Sequence, residues 1–140
     1  MRQKQVGLKY GFRSGLESRV AAQLDALGVT YRYEELTLMF TQPVKKRRYT
    51  PDFELFKTDG NPMIVETKGR FLPEDRKKMK LIGQQFPDLD IRFVFSNPKG
   101  KIYKGSKTTY GDWCDKNGFK YAKGNKGTIP EEWLEECMKE

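Results

Sequence analysis

Residues 49 to 68, YTPDFELFKTDGNPMIVETK, constrain the fold more tightly than any other stretch of the chain. Tyr49 to Phe56 and Met63 to Lys68 are rich in aromatic and apolar residues, and the Asp59-Gly60 pair between them marks a tight turn. The spacing predicts an antiparallel hairpin. Strand side chains alternate, so Glu66 and Lys68 share one face while Val65 and Thr67 share the other. On the preceding strand Asp52 and Glu54 oppose Phe53 and Leu55. Pairing about the turn then brings Asp52 across from the Glu66 to Lys68 stretch, where opposed Cβ atoms sit about 4.5 to 5.5 Å apart.

The rest of the chain supplies the layers around this hairpin. Ser14 to Leu27 reads as a helix, with Leu16, Val20, Leu24 and Leu27 at helical spacing and Gly28 at its end. Ser14-Gly-Leu-Glu17 fits a capping box, which gives Glu17 an ordinary structural task. Val29 to Phe40 reads as a strand, and TQPVKKRR, residues 41 to 48, breaks it with Pro43 and four consecutive cations. Pro73 and Glu74 open an amphipathic helix that runs to about Phe86. DIRFVFS, residues 90 to 96, is apolar on both faces and is expected in the sheet interior. A short helix is expected over Thr108 to Asn117, and a last one from Thr128 to Glu131 onward with Trp133, Leu134 and Cys137 inside. These elements make a single α/β domain with a mixed central sheet flanked by helices.

Composition narrows the chemistry. The 140 residues contain no histidine, which excludes Ser-His-Asp and Cys-His hydrolases and any histidine general base. Carboxylates, lysine and metal remain. Cys114 and Cys137, two distant cysteines without histidine, do not suit structural zinc and are expected as reduced, partly buried thiols. No run approaches the ~18 apolar residues of a membrane span, and MRQKQVGLKYGF lacks the apolar core of a secretory signal, so an intracellular protein is expected. A net charge of +8 points to a polyanionic partner, of which nucleic acid is the commonest.

Two carboxylates at cross-strand distance, such as Asp52 and Glu66, can share a cation. Phosphodiester hydrolysis needs charge stabilisation at the phosphoryl oxygens, an activated water and a leaving 3′-oxygen held in line, all of which carboxylate-bound Mg²⁺ can supply. Lys68 could deprotonate or orient the water, or neutralise developing charge. A Glu-x-Lys pair on a strand is by itself an ordinary surface feature. Asp52 after Pro51, the register, and the neighbouring Lys45, Lys46, Arg47 and Arg48 together favour a nuclease, with those four cations on DNA phosphates.

Pro51-Asp52 followed by Glu66-Thr67-Lys68 resembles the PD-(D/E)xK nuclease superfamily. The chain is more closely similar to the endonuclease I family of T-odd phages, which are Holliday-junction-resolving enzymes. FRSGLE (12 to 17), YTPDF (49 to 53), VETKG (65 to 69), DRKK (75 to 78), LDIRFVFS (89 to 96) and YKGSKTTYGDWC (103 to 114) resemble that family's segments in its order. The resemblance implies a restriction-endonuclease-like core in a strand-exchanged homodimer with two composite active sites, each binding two divalent ions, Mg²⁺ or Mn²⁺. Glu17 would come from one subunit, and Asp52, Glu66 and Lys68 from the other, with Glu17, Asp52 and Glu66 as metal ligands. The exchange segment would fall at residues 40 to 46, around Pro43. The implied activity is nicking of opposing strands of four-way and other branched DNA to leave 5′-phosphates, by a phage-encoded protein in the host cytoplasm. Arg13, and Lys101, Lys104 and Lys107 of a basic loop, are expected as further DNA contacts. A sequence-specific or transposase-associated nuclease on the same core, and a non-catalytic basic DNA-binding protein, are the alternatives.

Overall fold

A computed structural model of the chain describes residues 11, 15–42, 45–124 and 127–139, with the side chains of 42, 45 and 46 outside the description. Helix α1 (Gly15–Leu27) leads to β1 (Tyr31–Tyr33) and then to a hairpin of β2 (Leu38–Gln42) and β3 (Lys45–Tyr49). Strands β4 (Phe53–Phe56) and β5 (Pro62–Lys68) precede α2 (Pro73–Gln85) and β6 (Asp90–Phe95). Helix α3 (Tyr110–Asn117), β7 (Lys120–Lys123) and α4 (Glu131–Glu135) follow. The main sheet has the order β1-β4-β5-β6-β7, antiparallel at β1/β4 and β4/β5 and parallel at β5/β6 and β6/β7. This is the expected mixed sheet with flanking helices.

The β4–β5 hairpin has the expected register, with Phe53 opposite Val65 and Leu55 opposite Met63. Its turn is closed by Gly60, whose φ of +88° suits a residue without a side chain, and by an Asp59 carboxylate that accepts from the Asn61 amide. Alternation along β5 feeds two cores. Met63 and Val65 pack with Val20, Leu24 and Phe53 on the α1 side, while Ile64 packs with Met79, Ile82 and Phe93 on the α2 side. Continuing the period, Glu66 and Lys68 emerge on the α2 side. The α2 helix begins with Pro73 at its first turn, and α3 is capped by Thr109, whose side chain accepts from the Asp112 amide.

Several sequence expectations need correction. The single strand over 29 to 40 is two strands, separated where Glu34 takes φ +53°, a left-handed conformation that costs a residue with a side chain about 1–2 kcal/mol. Residues 45 to 48 do not break the pattern: they form β3, pairing Phe40 with Arg47 and Leu38 with Tyr49. The reason is Phe40 and Tyr49, both buried, which give this hairpin an apolar face that the four cations mask in the sequence. The strand expected from Tyr49 to Phe56 is interrupted by Thr50 to Asp52, where Pro51 cannot donate to a ladder. The edge strand β7 is too short and too cationic to stand out. The final helix begins at Glu131, and Cys137 lies beyond it, bridged to Lys57.

Candidate active site

Asp52 is the point where the parts of the site meet. Its backbone N–H donates to the Glu66 side-chain Oε2 at 2.8 Å, one residue beyond the Phe53–Val65 pair of the β4–β5 ladder. Its carboxylate is fixed from the opposite strand, because Oδ2 accepts from both the amide and the hydroxyl of Thr67 at 2.9 Å. Its carbonyl accepts from the Glu34 amide at 3.1 Å. The same residue is thus tied to β5 on one side and to the end of β1 on the other.

Glu17 arrives from the first turn of α1 and is buried rather than exposed at a helix cap. The Tyr33 hydroxyl donates to its Oε2, and Tyr33 is itself packed against Phe53 at 5.1 Å between ring centroids. Glu17, Glu34 and Asp52 each present a carboxylate oxygen, all within 4.8 Å of one another. Sequence reasoning singled out Glu17 and Asp52 but missed Glu34. Because Tyr33 pairs with Phe53, the next residue along β1 must stand beside Asp52, and the acid following Tyr31-Arg32-Tyr33 was the available signal.

The electrostatics are those of an anionic cluster short of positive charge. Burial raises the Glu66 pKa to about 8, with the nearby Asp52 charge adding to the rise against the opposing pull of Lys68 and Lys78. Asp52 is also raised, first by burial and then by the Glu17 charge, although the bonds from Thr67 work the other way. Burial and the charge of Glu66 push the Tyr49 hydroxyl upward as well. Lys68, half-buried at the end of β5, lies 3.9 Å from Asp75 Oδ1 on α2. Tyr49, Asp52, Glu66, Lys68 and Lys78 line a pocket of about 130 Å³.

Of the cations expected on DNA, Arg47 and Arg48 are exposed on β3 and line a larger cleft beside this pocket. Lys45 and Lys46 belong to the same strand, with side chains outside the described residues, and Arg13 also lies outside them. Lys101, Lys104 and Lys107 stand on the loop before α3, which is tied down by Arg76 donating to the Ile102 carbonyl, and none of the three lines the pocket.

A sheet whose neighbouring strands deliver two carboxylates and a lysine into one pocket, with arginines alongside, has the donor set of a phosphodiester-cleaving nuclease site. The comparisons narrow this class. Residues 1–140 match the family model for phage endonuclease I, and the chain belongs to that family. It is 47% identical over 129 residues to Endonuclease I of Escherichia phage T7, covering 92% of this chain and 82% of that protein. It is also 47% identical over 111 residues to Endodeoxyribonuclease 1 of Enterobacteria phage T3, covering 79% of this chain and 70% of the relative. The protein is accordingly a phage endonuclease, and no helix among its described residues is long and apolar enough to cross a membrane.

Proposed function

We propose that this endonuclease is structure-selective: it resolves four-way junctions and other branched DNA by divalent-metal-dependent hydrolysis, leaving 5′-phosphates, in the host cytoplasm. The observation that carries the reading is the position of Asp52, which joins Glu17 and Glu34 from the first part of the chain to Glu66 and Lys68 from the second. In this reading β4 and β5 are the heart of a restriction-endonuclease-like core.

The residues present fit a hard divalent cation. Carboxylate oxygens are the donors Mg²⁺ and Mn²⁺ prefer, and the pKa values of Asp52 and Glu66, raised first by burial and then by neighbouring carboxylates, are the kind that a bound cation would bring down. Asp52, Glu66 and Glu17 would hold the metal, with two ions per site and Glu34 at hand as a further carboxylate. Such ions supply charge stabilisation at the phosphoryl oxygens and an acidified water. Thr67 keeps the Asp52 carboxylate oriented, and Tyr33 does the same for Glu17. Lys68, steadied by Asp75, serves at the scissile phosphate either as a base toward the water or as a positive charge facing the developing anion.

Branch selectivity would follow from a homodimer with composite sites. Residues 15–42 carry Glu17 and Glu34, residues 45–139 carry Asp52, Glu66 and Lys68, and the covalent link between these parts is the β2–β3 connection within 40 to 46. Opening that hairpin and pairing the parts of two chains preserves every contact of the site while drawing its acids from both subunits. Two sites on one rigid dimer are then reached together by strands that diverge at a branch.

Cleavage of a four-way junction should exceed cleavage of its linear duplex arms at equal strand concentration; equal rates would end the branch-selective reading. In the same assay, co-refolding Glu17→Gln with Asp52→Asn chains should restore nicking, since exchanged halves regenerate one intact site per heterodimer. No restoration would mean that each site is built within one chain.

A further inference from the structure

The acidic pocket and the larger cleft beside it share one side chain. The pocket is lined by Tyr49, Asp52, Glu66, Lys68 and Lys78, and the cleft, of about 410 Å³, by Phe40, Arg47, Arg48, Glu74, Lys77 and Lys78. Lys78 therefore stands at their junction. Its ammonium lies 5.3 Å from the centroid of the Tyr49 ring, a contact that directs a flexible side chain toward the mouth of the pocket. The cleft arises because α2 buries Met79 and Ile82 against the sheet, which leaves Lys77 exposed and Lys78 half-buried facing β3. On β3, Arg47 shares a strand face with the buried Tyr49, two residues on.

The chemistry of the cleft specifies its ligand. Four cations and one acid surround a single buried aromatic residue, so the walls repel other cations and favour an anionic ligand. A chain of phosphates fits this composition. The adjoining pocket is an acid cluster that would repel an approaching phosphodiester, and cations placed along the approach offset that repulsion. The guanidinium groups of Arg47 and Arg48 suit bidentate contact with phosphate oxygens, whereas Lys77 and Lys78 act as point charges.

We propose that the cleft between β3 and α2 is a phosphate track for the cleaved DNA strand: Arg47, Arg48 and Lys77 hold the backbone beside the scissile bond, and Lys78 carries it across to the acids. This rests on the nuclease reading above and extends it by assigning α2 a DNA-contacting role. Contacts of this kind position the strand and read no bases.

The test uses full-length chains carrying Asp52→Asn, so that binding is measured without cutting. Affinity for a four-way junction is determined without divalent ions over a series of salt concentrations. Arg47→Gln, Arg48→Gln, Lys77→Gln and Lys78→Gln should each lower affinity about 3- to 10-fold and reduce the slope of log affinity against log salt by about one. Lys116→Gln, an exposed lysine at the end of α3, should alter neither. Slopes in all four variants equal to that of Lys116→Gln would overturn the track. Folding is controlled by thermal melting and by Lys78→Arg, which should keep the wild-type slope. As a second measurement, ethylating the phosphate next to the cut should weaken wild-type binding but add little to the loss in Arg47→Gln/Arg48→Gln; an equal penalty in both would also overturn it. Wild-type cleavage of the junction in Mg²⁺ is scored separately, since its absence would sink the nuclease reading whatever the salt slopes show.

Discussion

Two groups of buried charge lie on opposite faces of neighbouring strands. On β6, Arg92 is almost fully buried, yet its guanidinium makes paired bonds to the Asp90 and Glu136 carboxylates at 2.8 to 3.0 Å and lies over the Trp133 ring. Lys57 adds a second cation to Asp90 at 3.0 Å. Burial alone would raise Asp90, but the bonds from Arg92 and Lys57 outweigh it and hold its pKa below the usual value; Glu136 is lowered too, chiefly by Arg92. Glu66 on β5 and Asp52, just before β4, receive less compensation and both are raised. The matched group has its charges satisfied and binds the C-terminal segment to the sheet. The unmatched group keeps a demand for positive charge, which is the property a cation site needs.

Three experiments can break or sharpen this contrast. The largest effect is expected at the unmatched group: Asp52→Asn or Glu66→Gln should reduce junction cleavage by roughly a thousandfold or more while leaving junction affinity nearly intact. Single-turnover cleavage beside a gel-shift titration measures both, and unchanged cleavage would remove these carboxylates from the chemistry. Next, Arg92→Ala leaves the half-buried Asp90 beside one lysine, and should cost about 2–4 kcal/mol, discounted because the Glu136 side chain is 43% exposed. Its Tm should fall by roughly 10 °C. A smaller fall would mean that the matched group contributes little to stability.

The smallest effect is one of sign. Glu66 binds its proton more tightly folded, near pKa 8, than at its ordinary 4.5, so the metal-free protein should lose stability as pH rises through that window. Asp90 and Glu136, held low, contribute stability that is lost in the opposite direction, as pH falls through their folded pKa values. Glu66→Gln should flatten the alkaline decline and raise the metal-free Tm at pH 8 by about 3–6 °C relative to wild type. Added Mg²⁺ should reverse the decline in wild type. A metal-free Tm flat from pH 5 to 8 would contradict an undercompensated Glu66.

The comparison also separates what a sequence exposes from what it hides. The approach of Asp52 to Glu66 follows from a turn and a period of two, because both are local and the register between them is short. Glu17 was locally ambiguous: a serine three residues before it offers a capping role, and only the packing of α1 against β1 gives it Tyr33 and Asp52 as neighbours. Glu34 was hidden by its conformation, since a left-handed residue other than glycine has little local signature. The β2–β3 hairpin was hidden by its charge, four cations outweighing two buried aromatic rings in the local pattern. The Arg92 group was also out of sight, as Glu136 lies 44 residues from its partner. Short-range features were legible, whereas those needing a partner far along the chain were not.

The segment beyond α4 shows where that distance leads. The Met138 carbonyl accepts from Thr30, the Met138 amide donates to Phe56, and the Glu136 carbonyl accepts from Thr58, so one short stretch fastens the connection after α1 to the outer end of the β4–β5 hairpin. On a ribosome that synthesises from the N-terminus, every acid of the site has emerged well before residues 136 to 139. The framework that braces those acids closes only after residues 136 to 139 have been made, so the acids precede the segment that braces them.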